Sequence, residues 1–173
     1  SGGYVSQIGE RRLIDSWEST GNYEFQAEIF VEIDNQFITN TGGTVETAIN
    51  YINLLVSTAS VIYEKEISTH LRVTGVKVST HYDSAENVGA ALDIMEDSWK
   101  GYTWEATHSN YVPSGRIDLH HALLGNDLRG GIAYIGALCS PVWGFGLTAS
   151  VTGNFNALTR TMMWDIAAFM HEI

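Results

Sequence analysis

From Val45 onward the apolar residues Val45, Ala48, Ile49, Ile52, Leu55, Val56, Ala59 and Ile62 recur in steps of three and four, the spacing that lines one face of an α-helix. A stripe of that length has to be covered by another layer. Thr44, after Asn40-Thr41-Gly42-Gly43, is placed to cap the helix, because its hydroxyl can accept from a first-turn N–H that has no intrahelical partner. Upstream, Phe25, Ala27, Ile29, Val31 and Ile33 alternate with Gln26, Glu28, Phe30, Glu32 and Asp34. This is the period of a half-buried strand, with one exception at Phe30. Downstream, Leu71, Val73, Gly75, Val76 and Val78 predict a second strand, broken by the glycine and ended by Ser79-Thr80-His81-Tyr82-Asp83.

Later segments are read in the same way. Val88, Ala91, Leu92, Met95 and Trp99 predict a helix over 85–100, residues 116–124 a shorter one, and residues 132–138 an apolar strand. Trp143-Gly144-Phe145-Gly146-Leu147 is glycine-rich but lacks both the Lys-Ser/Thr of a phosphate loop and the G-x-G-x-x-G spacing, so it reads as a turn or cleft rim. The segment from Thr161 to Ile173 predicts a helix that is apolar nearly all round, which belongs in a core. Strands alternate with helices and then cluster, the pattern of an α/β fold: a mixed twisted sheet with helices packed against it. Residues 1–23 carry no sustained period and read as an N-terminal arm, and residues 24–173 as one domain.

At 173 residues and 45% hydrophobic content the chain can bury one core. Nine Lys plus Arg against twenty Asp plus Glu give a formal charge of −11, which repels phosphate backbones and anionic lipid alike and argues against nucleic-acid partners. No run reaches eighteen consecutive apolar residues, so membrane insertion is not expected, and the first residues lack the regions of a secretory leader. Cys139 is the single cysteine, so no disulfide forms within this sequence; a lone buried thiol is its plainest reading. His120 and His121, with His81, His108 and Asp118 in view, do not suggest one metal site, since neighbours on a helix point about 100° apart.

His171-Glu172 ends the last helix. In H-E-x-x-H, histidines one turn apart share a zinc ion while the glutamate acts on water. Only the first histidine and the glutamate stand in this sequence.

The run Gly130-Gly131-Ile132-Ala133-Tyr134-Ile135-Gly136-Ala137-Leu138-Cys139, its interval to His171-Glu172, and Asp118-Leu119-His120-His121-Ala122-Leu123-Leu124-Gly125 just before it resemble the reprolysin-like (adamalysin) zinc metalloproteases of the metzincin group. The resemblance implies a metzincin-like N-terminal subdomain that ends inside the zinc motif, to be completed by a continuation or a C-terminal fragment. It implies a secreted zinc endopeptidase acting on peptide or protein substrates, with His171 as first zinc ligand and Glu172 as general base. Ile132, Ala133, Tyr134 and Ile135 would form the edge strand that pairs with an extended substrate. Cys139 would bond to a cysteine beyond the motif, and calcium is a second ion it brings in, with Glu28 and Asp118 as loose matches. The alternative is a protease-like fold kept as a non-catalytic extracellular structural or adhesion module.

Overall fold

The computed structural model describes residues 23–99, 117–140, 143–159 and 163–173. The predicted N-terminal arm up to residue 22 and His108 lie outside the described residues. The elements are β1 (Phe25–Ile33), α1 (Asn35–Asn40), α2 (Val45–Ile67), β2 (Thr69–Val78), a 3₁₀ turn (His81–Ser84), α3 (Val88–Trp99), β3 (Leu119–Leu123), β4 (Gly131–Ala133), β5 (Phe145–Thr148) and α4 (Met163–Glu172). They build a five-stranded sheet in the order β2-β1-β3-β5-β4. Its first four strands are parallel, and β4 lies antiparallel to β5 at the edge. This is the mixed α/β architecture that the periodicities predict.

Both faces of the sheet are covered. On one, Ala48, Ile52 and Leu55 of α2 and Ile166 and Phe169 of α4 pack with Ile29, Val31, Ile33 and Leu123. On the other, Leu92, Met95 and Trp99 of α3 pack with Phe30, Ala122 and Leu147. Phe30 breaks the two-residue alternation because β1 is a central strand whose second face is also buried. Gly75 makes room for it: a Cβ there would lie 2.8 Å from the Phe30 ring, beside the bulge that shifts the β1/β2 register at Ile29/Phe30.

α2 begins as the sequence predicts, with Thr44 and Thr47 forming a reciprocal capping box. Length and composition alone would let this helix cross a bilayer; here its apolar stripe is packed on the sheet and α4. α1 has no apolar period and is set instead by Asp34. Its carboxylate accepts from the N–H groups of Phe37 at 2.6 Å, Gly125 at 2.9 Å and Asn126 at 3.3 Å. Burial raises the Asp34 pKa, and these N–H donors oppose the rise.

Four predictions are corrected. In place of the helix expected over residues 116–124, Leu119–Leu123 form strand β3, paired with β1 and β5, and residue 116 lies outside the described residues. The segment has helix-forming residues, but the buried position between two parallel strands decides its conformation. The glycine-rich stretch expected as a turn or rim contains β5, buried along its length. The strand expected over 132–138 is confined to Gly131–Ala133, followed by turns with positive φ at Gly136 (70°) and Cys139 (63°). Finally, α4 is not buried all round: Asp165, Ile166, Ala168 and Phe169 face the core, while Met163 and Trp164 are 51% and 46% exposed.

α4 is fixed by a buried polar hub. Asp165 is fully buried, and its carboxylate accepts from the Tyr51 hydroxyl at 2.5 Å, the Thr152 N–H at 3.1 Å and the Gly153 N–H at 3.0 Å. The Tyr51 oxygen in turn accepts from the Phe155 N–H at 2.9 Å. Desolvation, then the bond to Asp165, raises the Tyr51 pKa, so the phenol keeps the proton it donates. The Tyr63 hydroxyl adds a bond to the Met170 carbonyl at 2.9 Å. The last turn of α4 thus leaves a helix anchored at several points.

Candidate active site

His171 and Glu172 occupy that last turn, and successive helical positions send them to different surroundings. His171 is exposed; Glu172 is half-buried against the edge of the sheet. A Cβ on Gly131 would stand 2.5 Å from Glu172 Cγ and 2.8 Å from its Cδ. A Cβ on Gly146 would lie 3.0 Å from the Glu172 carbonyl oxygen and 3.2 Å from His121 Nδ1. Two glycines on adjacent strands therefore let the helix end approach β4 and β5. Beside it is a cavity of about 110 Å³ whose lining includes His121, Ala133, Tyr134, Gly146, Glu172 and Ile173. Burial raises the Glu172 pKa above the ordinary glutamate value, and the neighbouring His171 works against that rise.

Of the sequence-predicted substrate strand, Ile132 and Ala133 lie in β4, an edge of the sheet. β4 ends the sheet order, pairing Ile132 with Leu147 and Ala133 with Gly146, so its other side has no strand partner among the described residues. Tyr134 follows the strand, its N–H donating to the Phe145 carbonyl at 3.4 Å. Its hydroxyl donates to Glu96 of α3. Ile135 has left the strand for the turn and is fully exposed.

The paired histidines are separated more completely than a helix would separate them, because β3 sends neighbours to opposite faces. His120 lies among the rings of Phe30, Trp99 and Phe145. His121 points to the other layer, with Nε2 2.9 Å from Thr148 Oγ1 and its ring edge-on to Phe169 at 5.3 Å.

Burial lowers the His121 pKa from 6.5 to about 3. A histidine depressed in the fold contributes stability fully above its unfolded value, and loses it as pH falls from there toward the folded value. At about 1.4 kcal/mol per unit, His121 should cost roughly 2 kcal/mol between neutral pH and pH 5. Urea unfolding at the two pH values should show that loss in the wild type and a correspondingly smaller one in His121→Gln, whose amide stays neutral. Equal losses would refute the assignment.

The other candidate groups differ from expectation. Cys139 is exposed rather than buried, and its thiol donates to Asp118 Oδ1 at 3.2 Å. Glu28 and Asp118 do meet: the Glu28 N–H donates to Asp118 Oδ2 at 3.0 Å, and the Asp118 N–H to the Glu28 carbonyl at 2.8 Å. The Glu28 carboxylate pairs with Arg72 at 3.3 Å. Arg72 engages only Glu28 Oε1; Glu28 Oε2 is buried without a hydrogen-bond partner among the described residues.

No group of three or more His, Cys, Asp or Glu side chains that could hold a metal occurs among the described residues. His171 has the right donor chemistry for zinc, but a catalytic zinc site takes three protein ligands. The described residues fit the first ligand and the carboxylate beside it, and do not fill the set. The periodicity of the last helix made its existence legible; the approach of Glu172 to Gly131, 41 positions earlier in the chain, had no local signal.

Comparison with curated proteins finds no match. Among solved structures, a chain described as "Structure of a chaperone-substrate complex" superposes with a TM-score of 0.55 at 14% identity, covering 74% of this chain. The similarity extends over 21% of that chain's own length and is a likeness of fold. Residues 49–173 match the family profile described as "Metallo-peptidase family M12B Reprolysin-like". With the match covering most of the sequence and the sheet, edge strand and terminal helix arranged as described, the chain belongs to the reprolysin-like metallopeptidases of family M12B.

Proposed function

We propose that the chain is the N-terminal part of a zinc-dependent endopeptidase cleft, with His171 as a metal ligand, Glu172 as general base and the free edge of β4 as the seat of an extended peptide. The observation that carries this reading is the half-buried Glu172 carboxyl, with a raised pKa, held against Gly131 next to an exposed histidine. Zinc bound there would supply Lewis acidity, acidifying water and polarising a carbonyl.

The chain's own residues would do the rest. The N–H and C=O groups on the open side of β4 would align the peptide by strand addition. Glu172 would take a proton from the attacking water and pass it to the departing amine, and its raised pKa favours the acceptance. The remaining ligands are expected four and ten positions after His171. A full-length gene product without histidines at those positions would end the catalytic reading.

Gly131 gives a test within this chain. Gly131→Ala would push Glu172 aside and, with its Cβ 2.7 Å from the Leu147 carbonyl oxygen, would also strain the β4–β5 pairing; because misplacing a reacting group by about 1 Å can cost about 100-fold, kcat in the full-length gene product should fall by at least about that factor. Unchanged kcat would mean Glu172 does not act from this position.

A non-catalytic module that binds a partner along the open side of β4 is the second reading. In that case Glu172→Ala would leave partner binding intact and there would be no proteolysis to lose.

A further inference from the structure

Past the end of β4, the turns at Ile135-Gly136 and Leu138-Cys139 border a cavity of about 350 Å³ lined by Tyr134, Ile135, Gly136, Ala137, Ser140 and Trp143. Its aromatic wall is built: the Tyr134 ring meets Trp143 edge-to-face at 5.1 Å, and the Tyr134 hydroxyl is tied to Glu96 of α3. Trp143 is 52% exposed and Ile135 wholly exposed. Tyr134, Gly136 and Ala137 also line the smaller cavity that reaches Glu172. The aromatic pocket and the cavity at Glu172 are therefore neighbours that share the Tyr134–Ala137 segment as a wall.

We propose that this pocket receives a bulky apolar side chain, aromatic or long aliphatic, three or four residues N-terminal to the cut bond of a peptide paired antiparallel to β4. The proposal rests on the endopeptidase reading and adds its substrate class. Glu172 packs on Gly131 and so marks the point of cleavage. Tyr134 and Ile135 come three and four residues later, just past the end of β4 at Ala133. An antiparallel peptide carries its N-terminal residues in that direction.

The volume is at the small end of ligand pockets and suits one side chain. Among the described residues the polar side-chain groups of the lining are the Ser140 hydroxyl, the Trp143 indole N–H and the Tyr134 hydroxyl, the last turned to Glu96. A charged side chain would lose water there without finding a partner, whereas an apolar one gains contact with a half-exposed indole.

The test uses the zinc-loaded full-length gene product and internally quenched peptides that differ only in Phe or Gly at that position. Wild type should favour Phe by about tenfold or more in kcat/KM, and the ratio should fall toward one in Trp143→Ala. Ile135→Ser, at a fully exposed position, should reduce it independently of any folding defect. A wild-type ratio near one, or a preference unchanged in both variants, would overturn the proposal.

If no peptide is cut, fluorescence anisotropy of the same labelled peptides on Glu172→Gln protein separates the two claims. Tighter binding of the Phe peptide, lost on adding Trp143→Ala, keeps the pocket and removes the endopeptidase reading. Equal binding of both peptides removes the pocket.

Discussion

Glu172→Gln in the full-length gene product should lower kcat/KM for peptide hydrolysis by roughly 10²- to 10⁴-fold, the range a positioned general base contributes, with zinc content and thermal unfolding unchanged. Glutamine keeps the shape that packs against Gly131 and leaves His171 in place, so the substitution removes proton acceptance and little else. The wild-type rate also has a signed pH dependence. Activity should fall at acid pH, as protons compete for the Glu172 carboxylate and for the His171 imidazole that would hold zinc. A Glu172→Gln protein that retains the wild-type rate and pH profile would show the carboxyl to be a packing residue.

Asp165→Ala should destabilise the fold by about 3–5 kcal/mol in urea unfolding, because one substitution leaves several buried donors without an acceptor. The carboxylate joins Tyr51 of α2, the N–H groups of Thr152 and Gly153, and its own helix. It therefore carries the docking of α4 as well as its own burial. Tyr51→Phe removes one donor to Asp165 and the acceptor of the Phe155 N–H but leaves the Thr152 and Gly153 bonds to the carboxylate, so it should cost less, about 1–3 kcal/mol. The two effects should not add, since both substitutions break the Tyr51–Asp165 bond. A loss below about 1 kcal/mol for Asp165→Ala would mean water replaces the carboxylate and the hub does not anchor the helix. Even a partial loss would loosen the turn that positions Glu172, so kcat and stability should fall together.

What the sequence made legible follows from the range of the forces involved. α2 and β1 could be read from local period because each buries a regular stripe, and Thr44 declared a cap by its hydroxyl and position. β3 could not: Leu119–Leu123 is five residues long, and its conformation comes from β1 and β5 on either side. Its two histidines then go to separate layers, an arrangement that depends on the strand being a strand. β5 was hidden by Gly146, which serves a close approach between Glu172, Ala133 and His121 rather than a turn. The residues of the candidate site were visible as a dipeptide and a strand motif. Their meeting at Gly131 was not, because it is made by the sheet order and by the anchoring of α4.

The most direct measurement is hydrolysis of an unstructured, internally quenched peptide by the full-length gene product as isolated, after zinc is stripped with a chelator, and after zinc is restored. The account predicts cleavage, its loss on stripping and its return with zinc, none of it shared by Glu172→Gln. A folded, zinc-loaded protein that leaves the peptide intact, or cleavage that persists in Glu172→Gln, would contradict it.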